Sequence, residues 1–366
     1  MQAVILVGGE GTRLRPLTST VPKPVVPLVD RPFIVFMLEW LRAHGVDDVV
    51  MSCGFLATSV HNVLGDGSQF GIRLRFVEEP DPRGTAGALK YAEPLLDERF
   101  LMLNGDVLTD IDLAAQIAQH EATGAVGTLA LVPVEDPTAY GLVHLHDDRA
   151  VDEFVEKPSA DQIDTNLISA GAYVLERSVL DLIPPDRNVS IEREVWPQLV
   201  GEGLYGYPAE AYWLDIGTPQ RYLQGTFDIL EGNVRTAVQD RLGSDFTAIG
   251  DRVEAEGRIV PPAIVERGCV IEHGAHVGSL VVLGEGVRVG RGATIERSVV
   301  LNGADVGPGC KLTDCIVAAG AQIGEGTVVS GGAVLGEGVT IGRGNVLTRG
   351  VRLFPRTELP DESIKF

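Results

Sequence analysis

Between residues 253 and 353 an aliphatic side chain recurs at every sixth position: Val253, Ile259, Val265, Ile271, Val277, Leu283, Val289, Ile295 and Leu301. The register slips by one to Val306 and Leu312, then resumes with Ile323, Val329, Leu335, Ile341, Leu347 and Leu353. Neither a helix, with its period of 3.6, nor a half-buried strand, with its period of two, produces such spacing. A strict period of six is that of a chain wound through three flat faces, one apolar residue per face pointing into a triangular prism. The expected fold of residues 246–356 is therefore a left-handed parallel β-helix of hexapeptide repeats. Gly follows the apolar residue in several repeats, as at Val289-Gly290 and Ile341-Gly342, where the chain must turn a corner.

The preceding 232 residues read differently. Apolar strands are expected at 2–7, 47–53, 72–77 and 100–103, with helices at 32–44, 56–64 and 84–95 between them. Alternation at this spacing gives right-handed βαβ units and a mostly parallel, Rossmann-like sheet. Residues 125–176 read as an inserted mixed sheet, and 190–200 and 219–231 as further helices. Residues 233–245 form the expected linker and 357–366 a C-terminal tail. Ligands on open parallel sheets bind at the carboxyl ends of the strands. Here these ends carry Gly8-Gly9-Glu10-Gly11-Thr12-Arg13 after the first strand and Asn104-Gly105-Asp106 after the fourth.

Three glycines in four residues allow backbone N–H groups to turn toward one point, which makes an anion site. Arg13 and Lys23 supply fixed positive charge, with Lys23 stiffened between Pro22 and Pro24. Asp106 at a strand end either caps the next helix or holds a metal. Asp215, in YWLDIGT, brings a second carboxylate at a strand end, and two carboxylates with phosphate oxygens suit Mg²⁺.

The order G-G-x-G-T-R-L-x-P-L-T followed by P-K-P, met at residues 8–18 and 22–24, resembles the signature of the sugar nucleotidyltransferases, the nucleotide-sugar pyrophosphorylases. Further resemblance lies in Glu78-Glu79-Pro80, in GTAGAL at 84–89, FVEKP at 154–158, SIEREVWP at 190–197 and WLDIGTP at 213–219, so that it covers essentially the whole chain. The resemblance implies transfer of a nucleotidyl group from a nucleoside triphosphate to a hexose 1-phosphate, releasing pyrophosphate. Within the family it runs toward members that join GTP to mannose 1-phosphate; glucose-1-phosphate thymidylyl- or uridylyltransferase is the alternative.

It also implies roles. Leu6, Gly8, Gly9, Gly11, Thr12, Arg13, Lys23, Glu79, Gly84 and Thr85 would bind the nucleotide. Tyr140, Gly141, Glu156, Lys157, Asn166 and Gly171 would bind the sugar phosphate, with Glu156 on hydroxyls and Lys157 on the phosphate. Asp106 and Asp215 would hold Mg²⁺, the implied cofactor. Arg13, Lys23, Asp106, Lys157 and Asp215 would form the catalytic set. The base loop departs from the family pattern E-E-P-L-G-T-A-G, being longer at Asp81-Pro82. No histidine falls in these motifs, and none is needed, because a sugar 1-phosphate is already an ionised nucleophile near neutral pH.

The formal net charge of −21 in 366 residues argues against nucleic acid and anionic membrane as partners. No apolar run is long enough to span a bilayer, and the N-terminus lacks a secretory signal pattern. The four cysteines show no C-x-x-C spacing, which fits reduced thiols and a cytoplasmic protein. Two further readings come from other classes. A regulatory paralogue would lack the Arg, Lys or carboxylates, all of which are present. An acyltransferase in the β-helix would need a catalytic histidine, for which His273 and His276 are candidates. The β-helix is expected to mediate homo-oligomerisation and to carry no chemistry, with the preceding motifs needing nothing from it beyond anchoring.

Overall fold

The computed structural model describes residues 1–54 and 56–365. Two compact units make up the chain, Met1–Glu10 with Ile34–Trp213 and Gly11–Phe33 with Leu214–Phe366.

The first unit is built on a nine-stranded sheet. Its parallel part consists of β1 (Gln2–Val7), β2 (Asp48–Cys53), β3 (Arg73–Glu78) and β4 (Arg99–Asn104), in the order β3-β2-β1-β4. Order therefore reverses between β1 and β4, which places a crevice at their carboxyl ends. The continuous apolar runs of these strands, such as the buried Ala3, Val4 and Ile5, follow from burial on both faces. The mixed part holds β5 (Gly127–Pro133), β6 (Gly141–Leu145), β7 (Val151–Glu156), β8 (Leu167–Glu176) and β9 (Leu204–Pro208). The long β8 runs antiparallel to both β4 and β5 and so welds the two parts together.

Helices α1 (Phe33–Ala43), α2 (Ala57–Leu64) and α3 (Gly84–Ala92) fall where the periodicity puts them. The last turn expected of α3 is a 3₁₀ turn, Glu93–Leu95, at Pro94. Helix α4 (Leu113–Thr123) has no clear apolar stripe, because Gln116 and His120 face the core. Gln116 Nε2 donates to the carbonyls of Thr128 (3.0 Å) and Ala172 (3.1 Å). Residues 190–200, expected as a plain helix, instead form a π turn, Ile191–Val195, followed by the short helix Trp196–Leu199. Pro197 explains the change, since its missing N–H cannot continue an α-helical ladder.

The second unit contains the β-helix. Its strands form three parallel sheets of seven, seven and six strands, from Thr247–Ile249 to Glu358–Leu359. Ile264 pairs with Val282 and Val282 with Val299, so coils of eighteen residues give way to coils of seventeen, and Val299 pairing with Ile316 makes a second short coil before eighteen returns at Ile316 with Val334. The shortening comes one position earlier than the period suggests. Val300, not Leu301, fills the prism, and Val317 follows Leu312 in the same way. Each missing residue falls in a turn, where Arg297 (φ 47°) and Asp314 (φ 48°) adopt left-handed backbone and the two side chains pair at 2.7 Å.

Residues 233–245 include helix Val238–Leu242, whose Val238 and Leu242 are buried. Beyond residue 356 strand pairing continues, with Thr340–Ile341 pairing Glu358–Leu359, and Ile364 packs on the prism core. Phe366 lies outside the described residues.

Candidate functional site

In the first unit the crevice is lined by strand ends held at fixed separations. Gly105 N donates to Leu6 O at 3.0 Å, tying the Asn104-Gly105-Asp106 turn to the end of β1. A Cβ on Gly105 would sit 2.4 Å from Val7 Cγ1, so only glycine lets this turn approach. Asp106 follows directly and is half-buried. Gly8 lies beside Glu79 and the Gly54 backbone, while Gly9 faces open space. Glu79 is fixed from two sides: its N–H donates to Cys53 O (2.9 Å) and its Oε1 accepts from Ser52 Oγ (2.9 Å). Of the three signature glycines only Gly11 has positive φ, at 62°.

The base-side loop is stitched to the π turn. Gly84 (φ 70°) abuts Val189 O, and Ala86 N donates to that carbonyl. Thr85 Oγ1 donates to Glu192 Oε2 (2.8 Å) and accepts from Ile191 N (2.8 Å). The Thr85 hydroxyl, expected to face nucleotide, is thus committed to positioning Glu192.

A second group of residues gathers around the buried Tyr173. Burial raises the pKa of its hydroxyl, helped by the neighbouring carboxylates of Glu192, Glu156 and Asp106. Glu156 is itself shifted upward, chiefly by burial and then by Glu192, against the pull of Lys157 and Arg193. Lys157 is exposed and left-handed (φ 54°), and its N–H donates to Tyr140 O at 2.9 Å. The Tyr140 ring meets Trp213 edge-on at 5.2 Å, and Trp213 Nε1 donates to Ala170 O. Gly141 has no room for a Cβ, which would lie 2.3 Å from the Phe154 ring. Gly171 (φ 74°) sits where the β5–β8 register shifts, and Asn104 Nδ2 lies 2.7 Å from the position its Cβ would take. Asn166, by contrast, is exposed at the start of β8, where its carbonyl accepts from Val134 N (3.0 Å).

In the second unit the loop Gly11–Phe33 carries the cations. A Cβ on Gly11 would lie 3.1 Å from both Lys23 Cβ and Thr18 Cγ2, and Thr18 Oγ1 donates to Gly11 O at 2.7 Å. Lys23 is buried, whereas Thr12 and Arg13 are exposed. Arg13 Nη2 and Asp215 Oδ1 lie 2.8 and 3.0 Å from the point where Gly217 would carry a Cβ. Arg221 Nη1 is 3.4 Å from Asp215 Oδ2. Glycine at 217 thus leaves space in which Arg13, Asp215 and Arg221 converge.

Glu192, Ser52 and Trp213 were not marked by the sequence as site residues. Glu192 had a faint signal in SIEREVWP, but its aim is set by a π turn that no periodicity announces. Among the described residues no group of three or more His, Cys, Asp or Glu is placed to hold a metal ion.

Residues 2–232 match the family model described as nucleotidyl transferase, and residues 259–365 match the GMPPB C-terminal domain. The chain is 37% identical over 302 residues to a mannose-1-phosphate guanylyltransferase of Mycobacterium tuberculosis, covering 81% of this chain and 83% of that protein. It is 31% identical over 341 residues to a UTP–glucose-1-phosphate uridylyltransferase of Synechocystis, covering 87% of each. Among solved structures, HddC from Yersinia pseudotuberculosis complexed with GMP-PN is similar with a TM-score of 0.53 and 28% identity, over 61% of this chain and 96% of that one.

Proposed function

The chain belongs to the nucleotidyl transferase family, and from that premise we propose that it joins GTP to mannose 1-phosphate, yielding GDP-mannose and pyrophosphate. The observation that supports this choice is likeness along both parts of the chain. The first part is matched as a nucleotidyl transferase and residues 259–365 as the GMPPB C-terminal domain, with a mannose-1-phosphate guanylyltransferase at 37% identity. The 31% identical uridylyltransferase supports UTP with glucose 1-phosphate as the second reading. Pyrophosphate release measured over a panel of nucleoside triphosphates and hexose 1-phosphates tests it. A higher kcat/KM for UTP or dTTP with glucose 1-phosphate than for GTP with mannose 1-phosphate would overturn it.

The reaction needs positioning and charge neutralisation more than proton transfer. A phosphate oxygen of the sugar 1-phosphate attacks the α-phosphorus in line, a new P–O bond forms, and the bond to the β-phosphate breaks with its electrons leaving on pyrophosphate. In this reading Arg13 and Lys23 hold the triphosphate and the departing pyrophosphate, beside the N–H groups of Gly8, Gly9 and Gly11. Lys157 orients the attacking phosphate. Glu156 and Glu192 accept from sugar hydroxyls, with Tyr140, Gly141, Asn166 and Gly171 around the ring. Glu79, Gly84 and Thr85 form the base side.

Asp106 and Asp215 would hold Mg²⁺. Their hard carboxylate oxygens fit that ion, which takes few protein ligands and keeps waters and phosphate oxygens. Bound there, it would neutralise charge on the phosphate oxygens.

We also propose a catalytic domain over 1–232 and a β-helix domain from about residue 246, with self-association through its flat sheet faces. No helix among the described residues is long and apolar enough to cross a membrane. The cysteines Cys53, Cys269, Cys310 and Cys315 are free and buried, which supports a reducing compartment, the cytoplasm.

A further inference from the structure

We propose that Arg352, on the β-helix, is a positioning residue for the nucleotide loop: it fixes the backbone on which Arg13 stands. The inference rests on the reading of Arg13 as a triphosphate ligand.

The loop Gly11–Phe33 has little regular structure of its own. It contains three 3₁₀ turns, Thr12–Leu14, Leu17–Ser19 and Lys23–Val25, and a ladder of two-residue strands, Pro27–Leu28 with Arg31–Pro32. Short turns leave carbonyls that no ladder satisfies. Two of these, Arg13 O and Arg15 O, are taken by a single nitrogen, Arg352 Nη1, at 3.2 and 3.1 Å. One nitrogen bridging carbonyls on either side of the buried Leu14 sets the orientation of both peptides, and with them the direction in which the Arg13 side chain leaves the chain. Guanidinium suits this task because it is planar, always charged and donates in a fixed fork.

Arg352 is not alone in tying the loop to this surface. Thr20 Oγ1 donates to Glu337 Oε2 at 2.7 Å. Asp30 is gripped by Arg31 (2.7 and 2.9 Å) and also by Arg241, which reaches on to Glu266 at 3.0 Å. Tyr222 Oη donates to Pro27 O at 2.5 Å. The anchors at Asp30 and Pro27 hold the far end of the loop, and Thr20 its middle. Arg352 acts closest to the Arg13 side chain, on the carbonyls of Arg13 itself and of Arg15. The Arg352 side chain is exposed and the prism interior does not require it; its own strand contributes Leu353 to the packing instead. The β-helix therefore contributes to nucleotide binding without touching nucleotide.

The test uses the full-length protein and steady-state pyrophosphate release with GTP and mannose 1-phosphate, or UTP and glucose 1-phosphate should the substrate panel select that pair. Arg352→Ala is expected to raise the KM for the nucleotide about tenfold, as loss of charge-assisted hydrogen bonds does. The KM for the sugar phosphate and the melting temperature should stay near those of the unaltered protein. Arg352→Lys, which keeps a donor cation at the same place, should recover part of the loss. Arg13→Ala serves as the reference. If Arg13→Ala impairs nucleotide use and Arg352→Ala does not, the positioning role is overturned alone. A fall in kcat with both KM values raised together and a lowered melting temperature would make Arg352 merely structural, and also overturns it. Normal nucleotide use in both variants overturns the reading of Arg13 as well.

Discussion

Met1–Glu10 with Ile34–Trp213 gathers carboxylates, Glu79, Asp106, Glu156 and Glu192, while Gly11–Phe33 with Leu214–Phe366 gathers guanidinium groups around Asp215. The two sets are held in different ways. Glu79, Asp106 and Glu156 stand at or just past the end of a strand, so the sheet itself fixes them, and Glu192 is held by Thr85 at the start of α3. Gly105 N on Leu6 O and Glu79 N on Cys53 O are ladder-like bonds continued by one residue. Arg13 and Lys23 stand on a loop whose regular structure is three short turns and one pair of two-residue strands, and bonds with Arg352, Glu337, Arg241 and Tyr222 hold it in place. A strand end supplies its own rigidity, whereas an irregular loop needs rigidity from another element. Within the proposed catalytic set each unit also contributes a charge of the other's kind, Lys157 from the first and Asp215 from the second.

The largest expected effect tests whether both units serve one reaction. Asp106→Asn and Asp215→Asn should each lower kcat by on the order of a thousandfold or more, with activity strictly dependent on Mg²⁺. Pyrophosphate release with and without chelator measures it. Near-normal turnover in either variant would leave the chemistry with one unit only.

Next in size is the dependence of the loop on its support. On the sequence alone the catalytic motifs need nothing from the β-helix beyond anchoring, and the bonds from Arg352 and Glu337 to residues 13–20 give that anchoring a place. A chain ended after Gly243 should keep the sheet and its circular dichroism yet lose about a hundredfold in activity, the scale on which small misplacements act. Retention of most of the activity would show that the loop holds its shape unaided.

A smaller effect divides the substrates between the units. Lys23→Ala should raise the KM for nucleotide, and Lys157→Ala that for sugar phosphate, each by about tenfold through loss of one charge-assisted contact. Movement of the same KM in both variants would erase the division.

The β-helix could be read from the chain because one physical rule, an apolar residue per face, is repeated in every coil. Even there the rule failed locally. Ser298-Val299-Val300-Leu301 offers three apolar residues in a row, and periodicity cannot tell which points inward; the left-handed turn at Arg297 decides for Val300. The strand-end residues of the crevice, Gly8, Glu79 and Asp106, were legible for a related reason, since strand periodicity announces where each strand stops. Glu192 was not, because Pro197 converts its helix to a π turn and rotates it toward Thr85 and Tyr173. Helix α4 was hidden by polar residues on its inner face. The bond from residue 352 to residues 13 and 15 spans nearly the whole chain and leaves no local trace.

The smallest prediction separates the units by their response to acid. In the first unit His120 is buried, with Nδ1 on Thr128 Oγ1 (2.8 Å) and Nε2 on Glu176 Oε1 (3.1 Å). Burial depresses its pKa below the usual histidine value, with Arg99 adding to the effect and Glu176 and Glu121 opposing it. A group that takes up its proton more readily unfolded than folded costs stability as pH falls from the ordinary value toward the depressed one. In the second unit Asp30 is also buried, but Arg31 and Arg241 outweigh that burial and hold its carboxyl below the usual range. Its contribution is present above the ordinary aspartate value and is lost only as pH falls through the depressed one. Glu156, shifted upward, works in the opposite sense, yet it lies on β7 rather than on the α4–β5 contact. Between pH 7 and pH 5.5 the segment around α4 should therefore lose on the order of 1 kcal/mol of local stability while Gly11–Phe33 loses none. Hydrogen exchange corrected for intrinsic rates measures this in one experiment on peptides from 113–123 and 23–33. His120→Asn, which stays neutral in that interval, should abolish the difference. Equal protection of both peptides at the two pH values would show that burial of His120 does not govern the acid response of its unit.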